Sequence, residues 1–351
     1  MKSAPSPVYF SSDLKAAAEL CQAAGLGKII NQGDFVALKI HFGERGNTGY
    51  IRPELLKSTI AWIKQLGGRP FWLDANTLYK GSRSDALAHQ QTAADHGFTP
   101  GKTGAPVLIA DGLTGRNSRD ITVAYKHFNK ISLGALIFEA DSLLAITHFK
   151  GHEVTGFGGV LKNLGMGLGS RAGKQQMHAD IRPQVSSDRC QACGRCLKWC
   201  PTAAISWDDG HKARIDQPKC IGCAECVAAC RYQAISISWA GTPDSVQEKM
   251  VEYAAGAISL LPQKIGYLTF LNNINPACDC FPTDGQPIVA DIGLLASDDP
   301  VAIDQAAIDL VNQKAGKDIF RQLYPAADWS VQLDYAAALG LGSRRYELVI
   351  K

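Results

Sequence analysis

Cys190 to Arg231 reads CQACGRCLKWCPTAAISWDDGHKARIDQPKCIGCAECVAACR, and this stretch decides how the rest of the chain is read. Its first half sets Cys190-x2-Cys193-x2-Cys196-x3-Cys200 ahead of Pro201, and its second half repeats the spacing as Cys220-x2-Cys223-x2-Cys226-x3-Cys230. The chain has 11 cysteines, and outside this duplication there remain Cys21 and the pair Cys278 and Cys280. With 351 residues, 46% of them hydrophobic, the chain can bury a full core and needs no disulfide framework to fold. Cysteine so concentrated therefore points to metal.

The spacing narrows the metal. A tight C-x2-C-x2-C loop wraps one face of an iron–sulfur cubane so that three thiolates reach three irons, and the fourth Cys, expected at the head of a short helix, is directed elsewhere. A pair of structural zinc sites is the plain alternative. Zinc knuckles use two C-x2-4-C pairs separated by a longer loop, and the third closely spaced Cys fits them poorly. The duplication resembles the bacterial dicluster ferredoxin, with Arg231 where a second Pro would stand. That resemblance implies two [4Fe-4S] clusters. One would sit on Cys190, Cys193, Cys196 and Cys230, the other on Cys220, Cys223, Cys226 and Cys200. Ser186–Trp239 carries seven basic against five acidic residues, a net of +2. A weakly basic module suits an acidic redox partner such as ferredoxin or flavodoxin, although a mixed solvated surface has the same composition.

Working outward, composition changes at both ends of 184–239. The preceding part alternates β-rich runs at Phe35–Ile40, Pro70–Leu73, Val107–Ala110 and Ala135–Thr147 with helical spacing over Pro53–Leu66 and Ser84–His96, the latter capped by Ser82 or Ser84. The following part returns to that character. It has a helix over Val246–Leu260, strands at Ile265–Leu271 and Ile288–Ile292, and a helix over Pro300–Gln313 capped by Asp299. The expectation is an α/β fold with a mostly parallel sheet, made of residues 1–183 and 240–351, with an α+β ferredoxin-like dicluster module inserted at 184–239. Cys21, on the apolar helix Leu14–Ala24, reads as core packing.

Three polar loops follow predicted strands: His41–Gly46, the run from Thr147 to Gly167, and Asn272–Cys280. In open α/β sheets such strand ends line the ligand crevice. His41 and His152 suit acid–base chemistry or metal ligation, with hydrogen-bonded structural histidines as the alternative. Lys162 joins them as a candidate catalytic group, and Glu44, Lys150 and Asn163 as candidate substrate-binding groups. Cys278 and Cys280, one residue apart in an extended segment, point to the same side. They are a candidate third metal or cluster site, to be completed by His41, His148, His152, a substrate or a second subunit. Read without metal, they are free or redox-reversible thiols. Gly167–Lys174 departs from a phosphate-binding P-loop at Leu168 and Gln175, which leaves at most a looser anion nest.

His41-Phe42-Gly43-Glu44, Lys150-Gly151-His152 with Thr155-Gly156, Leu161-Lys162-Asn163-Leu164 and Cys278-Asp279-Cys280 together resemble the DUF362 family across essentially the whole chain. Many members of that family carry a ferredoxin-type insertion, and the family's function is undefined. Gly156-Phe157-Gly158-Gly159 with Lys162 is similar, more distantly, to a loop of nickel-pincer lactate racemases. The net charge of +3 is too weak for a nucleic-acid or membrane-surface binder, and no run approaches the ~20 apolar residues of a membrane span. The N-terminus lacks the apolar region of a secretory signal, so a cytoplasmic protein is expected. The leading expectation is an iron–sulfur redox protein passing electrons to a small-molecule substrate or a further metal centre in the α/β part. The rivals are a pure electron carrier docking on a partner enzyme and a non-redox racemase- or lyase-like enzyme with structural clusters.

Overall fold

The computed structural model describes residues 4–79, 81–178, 183–220, 225–232, 234–236, 242–282 and 286–351. Its centre is an eight-stranded sheet in the order Tyr346–Ile350, Ser6–Ser11, Gly293–Ser297, Ile265–Leu271, Ser142–His148, Phe35–Lys39, Arg69–Asp74, Val107–Ile109. All neighbouring pairs are parallel except the two made by Gly293–Ser297, which runs against both of its neighbours. The sheet is built from both sides of the cysteine-rich stretch: Ile265–Leu271 pairs in parallel with Ser142–His148, Leu268 opposite Ile146.

Strand alternation sorts the side chains onto two faces. Ala37, Leu143, Ala145, Tyr267 and Leu271 pack on one face, under the helices Val160–Leu168, Pro243–Ser259 and Pro300–Ala315. Val36, Leu38, Leu144, Ile146, Leu268 and Phe270 pack on the other, under Ala17–Ala23 and Lys57–Gln65. The central strands are apolar throughout because both faces are covered. Cys21 is fully buried in the second core, as its helical spacing implied. The Pro300 helix starts as its sequence dictates. Asp299 accepts from the amides of Val301 and Ala302, each at 2.9 Å, and Gly316 at φ 69° closes the far end.

Several boundaries differ from the sequence reading. Ala135–Thr147 is not one strand: Ala135–Glu139 is a 3-10 turn, and the strand is Ser142–His148. The turn is as apolar as a strand because it buries Ile137 in the first core. Ile288–Ile292 is irregular and the strand lies at Gly293–Ser297. The amides of Ile288 and Ile292 bond instead to the carbonyls of Ile274 and Leu271, which carries the chain past the sheet end. The helix expected at Ser84–His96 runs Ala86–Asp95, and its cap is Asp85, accepting from Ala88 N at 3.0 Å.

The cysteine-rich stretch forms its own small elements. Gln184–Val185 pairs with Ile235–Ser236, and Ile205–Trp207 with Ala213–Ile215, both antiparallel. Cys190, Cys196, Cys226 and Cys230 share a separate apolar cluster with Ile205 and Ala213. Here too one expectation is corrected: Cys200 and Cys230 follow the short helices Arg195–Trp199 and Glu225–Ala229 instead of heading them. Among the described residues no helix is long and apolar enough to cross a membrane.

Candidate functional site

The carboxyl ends of the parallel strands open into a cavity of about 1100 Å³. The structure brings His41, Glu44, Lys150, His152, Lys162, Asn163, Cys278 and Cys280 to its wall, so the three polar loops do converge.

At the floor, Asn163 ties helix to sheet. Its amide nitrogen donates to Ile146 O and Thr147 Oγ1 at 3.0 Å, and its oxygen accepts from Lys39 Nζ at 2.8 Å. Lys39 in turn pairs with Asp74 at 3.0 Å, both nearly inaccessible. Asp74 also faces Arg83 at 3.6 Å and His89 at 3.5 Å. Burial alone would raise the Asp74 pKa, yet Lys39 and His89 hold it well below the usual carboxylate range. Glu44 accepts from the amide and hydroxyl of Ser82 and lies 3.4 Å from Arg83, which fixes Ser82 and Arg83 at the cavity wall. Lys39, Asp74, Tyr79 and Arg83 were not singled out in the sequence, and Lys174 entered only as the end of the run weighed as an anion nest. Asp74, the polar end of the otherwise apolar strand Arg69–Asp74, carried a legible signal of the strand-end kind.

The thiols sit against a second anchored pair. Asp279 accepts from His148 Nδ1 at 2.9 Å and pairs with Lys150 Nζ at 3.0 Å, while His148 Nε2 donates to Asn272 O at 2.9 Å. Burial opposes the Asp279 charge, but His148 and Lys150 hold its pKa well below the ordinary value. With Asp279 turned inward, its neighbours Cys278 and Cys280 point to the cavity, their sulfurs 3.1 Å apart. Lys162 Nζ lies 3.5 Å from Cys278 Sγ, and His41 Nε2 lies 3.4 Å from Cys280 Sγ. The contact with Cys278, the hydrogen bond with His41 and the Lys162 ammonium hold the Cys280 thiol well below its ordinary pKa, against the opposing effect of burial. Donation to Cys280, with burial, pushes Cys278 well above its own. The pair is thus polarised, with Cys280 the readier thiolate and Cys278 the readier thiol.

The histidines take defined roles. His41 Nδ1 accepts from Gly43 N at 3.0 Å, and His152 Nδ1 accepts from Val154 N and Thr155 N at 3.2 Å. A neutral imidazole accepting at Nδ1 carries its proton on Nε2, so each presents an N–H to the cavity. Burial lowers both pKa values, which favours the neutral form. A metal-ligating His instead donates its second nitrogen outward. His148, weighed as a third ligand, has both nitrogens engaged. Among the described residues no three His, Cys, Asp or Glu side chains are gathered as a single-ion site.

The helix Val160–Leu168, which carries Lys162 and Asn163, begins where the fully buried Asp304 accepts from Val160 N at 2.7 Å and Leu161 N at 3.0 Å. Burial holds the Asp304 pKa up to about 7. A carboxyl whose pKa rises on folding binds its proton more tightly in the folded chain. The contribution of Asp304 to stability is therefore fully present at about pH 4 and is lost as pH climbs from there through about 7, by a few kcal/mol in all. Urea unfolding across that window should show this slope, and Asp304→Asn should flatten it.

In the cysteine-rich stretch, Cys190, Cys193, Cys196 and Cys230 line one small cavity. Backbone amides donate to three sulfurs: Ala213 N to Cys190 at 3.4 Å, Ala204 N to Cys200 and Ala234 N to Cys230, both at 3.2 Å. Such N–H···S bonds suit thiolate ligands of a cluster. A cubane binds each Cys to a different iron, so its ligands need not crowd one ion. Cys220 and Cys226 belong to the described residues, and Cys223 lies outside them.

Comparison with known proteins finds iron–sulfur relatives and a family. A ferredoxin of Pyrobaculum islandicum is 35% identical over 68 residues, 19% of this chain and 64% of that one. Pyruvate synthase subunit PorD of Methanocaldococcus jannaschii is 34% identical over 56 residues, 16% of this chain and 65% of that one. Thiosulfate reductase electron transfer subunit PhsB of Salmonella typhi is 38% identical over 64 residues, 18% of this chain and 33% of that one. The chain thus spans less than two thirds of each of these relatives. Among solved structures, the lactate racemase apoprotein of Thermoanaerobacterium thermosaccharolyticum aligns with a TM-score of 0.38 at 13% identity, over 76% of this chain and 50% of that one. The model of the family described as Domain of unknown function (DUF362) matches residues 36–309, most of the chain, and the protein belongs to that family.

Proposed function

We propose that this protein is an iron–sulfur oxidoreductase whose residues 184–239 form a dicluster module inserted into an α/β domain of residues 1–183 and 240–351. Cys190, Cys193, Cys196 and Cys230 hold one [4Fe-4S] cluster, and Cys220, Cys223, Cys226 and Cys200 hold the second. When bound, the clusters supply one-electron carriers, and the reduced species is a small molecule in the strand-end cavity. The weakly basic module takes electrons from an acidic partner such as ferredoxin or flavodoxin. One observation carries the reading. A cysteine set with amide-bonded sulfurs shares a chain with a buried cavity that holds a thiol pair, a lysine and two N–H-presenting histidines.

In the cavity, His41 and His152 donate from Nε2 to a developing negative charge, and Lys162 stabilises it as an ammonium. Lys162 is suited to this because the neighbouring thiols, against the pull of burial, hold its pKa above the ordinary value. Lys150 and Glu44 hold the walls, through Asp279 and Arg83 respectively. A further metal on Cys278 and Cys280 is disfavoured, since the nearby imidazoles offer N–H groups and not lone pairs.

Strictly anaerobic purification should yield about eight irons and eight sulfides per chain, with EPR signals on reduction. Cys278→Ala/Cys280→Ala should keep all eight, whereas Cys196→Ala should lose about half. A wild-type protein without iron sinks the proposal.

A further inference from the structure

Resting on the cavity reading just given, we propose that Cys278 and Cys280 form a two-electron thiol–disulfide centre that reduces disulfides bearing carboxylate groups. The geometry divides the labour. The two sulfurs touch at 3.1 Å, and both thiols are free. Cys280 is the more accessible and bonds to His41, while Cys278 is buried behind it against Lys162. That is an attacking thiol in front and a resolving thiol at its back.

The chemistry closes on the residues present. The Cys280 thiolate attacks one sulfur of a bound disulfide RS–SR, its S–S bond breaks, and one RS⁻ departs, leaving R on Cys280. Cys278 then gives up its proton to the departed thiolate and attacks Cys280 Sγ. The Cys278–Cys280 disulfide forms and the second RS⁻ leaves. The substrate disulfide gains two electrons and the protein pair loses two. The pair is reset by two electrons, delivered by one-electron donors or by an external dithiol. The lowered Cys280 and raised Cys278 pKa values agree with this order of attack.

The wall chemistry sets the substrate class. Lys162 and Lys174 line the cavity: Lys162 lies against Cys278, whereas Lys174 donates to Gly169 O at 2.6 Å and feels the charges of Asp111 and Asp74, so Lys162 is the cation best placed to meet a carboxylate. Burial lowers the Lys174 pKa to about 8, which still leaves it mostly protonated at neutral pH. With His152 presenting an N–H alongside, the cavity favours an anionic disulfide over a cationic one.

The test is thiol trapping on the anaerobically purified chain, with its iron measured alongside. The protein is equilibrated in mixtures of reduced and oxidised glutathione, alkylated, and the peptide spanning 278–280 is weighed. The expected result is a cooperative passage from two alkylated cysteines to none. Cys278→Ser should trap glutathione on Cys280, and Cys280→Ser should not react. Cystamine, a cationic disulfide, should react at least ~10-fold more slowly than oxidised glutathione. Lys162→Gln should move the pH profile of Cys280 alkylation upward, a readout that a purely structural lysine would not change. Two thiols that stay alkylatable throughout overturn the proposal, as does alkylation blocked until a chelator strips a metal. Equal rates with cystamine overturn the substrate class. Full iron with inert thiols sinks this inference alone, whereas a working couple without iron sinks the proposed function alone.

Discussion

Asp279→Ala is expected to destabilise the folded chain by about 3–5 kcal/mol in urea unfolding, among the largest effects of any single substitution at the site. The carboxylate is fully buried between Lys150 and His148. Removing it takes the carboxylate partner from the Lys150 ammonium beside the thiols and frees His148 Nδ1. The Asp279 backbone is also committed, since its carbonyl accepts from Glu44 N at 2.9 Å. The effect depends on pH with a definite sign. A carboxyl held below its ordinary pKa adds stability that is present above about pH 4 and is lost as pH falls toward the folded value. Wild type should therefore lose stability in acid over that range, and Asp279→Asn should lose less. Because the same carboxylate turns its neighbours outward, Asp279→Ala should also slow alkylation of Cys280 at neutral pH.

Gly165→Val is expected to cost about 3 kcal/mol and to disturb the site from behind. Gly165 lies where the helix Val160–Leu168 crosses Pro243–Ser259, and a Cβ there would press into the carbonyl oxygen of Met250. Backbone cannot rotate aside as a side chain would, so the helices must part. Lys162 and Asn163 ride on the displaced helix, and their bonds to Cys278, Lys39 and Ile146 set the cavity wall. Thermal unfolding should report the cost, and a raised pH midpoint for Cys280 alkylation should report the moved lysine.

The parts of this protein that were legible in its sequence are those written locally. The apolar runs Phe35–Lys39 and Ile265–Leu271, the Asp299-Pro300 helix start and the strand-end loops all follow from a few adjacent residues. Loops at strand ends foretold that His41, Lys150, Lys162 and Cys278 would meet. What was hidden depends on distant partners. Lys39 looks like an ordinary strand residue until Asp74 and Asn163 close on it. His148 looks like a ligand until Asp279 and Asn272 occupy both its nitrogens. The tautomers of His41 and His152 are set by amides two or three residues away, through turn geometry that composition does not encode. Ala135–Glu139 misread as strand for the same reason, since an apolar turn under a helix layer has strand-like composition.

Gln184 opposite Ser236 and Val185 opposite Ile235 hold the two ends of the cysteine-rich stretch side by side in a two-rung antiparallel stem. Among the described residues no strand of the large sheet lies between those ends. Lengthening, shortening or exchanging what lies beyond the stem is therefore expected to shift the register of no sheet strand and to leave the walls of the strand-end cavity in place. The stem is thus a grafting point, where an appendage can be exchanged without rebuilding the sheet.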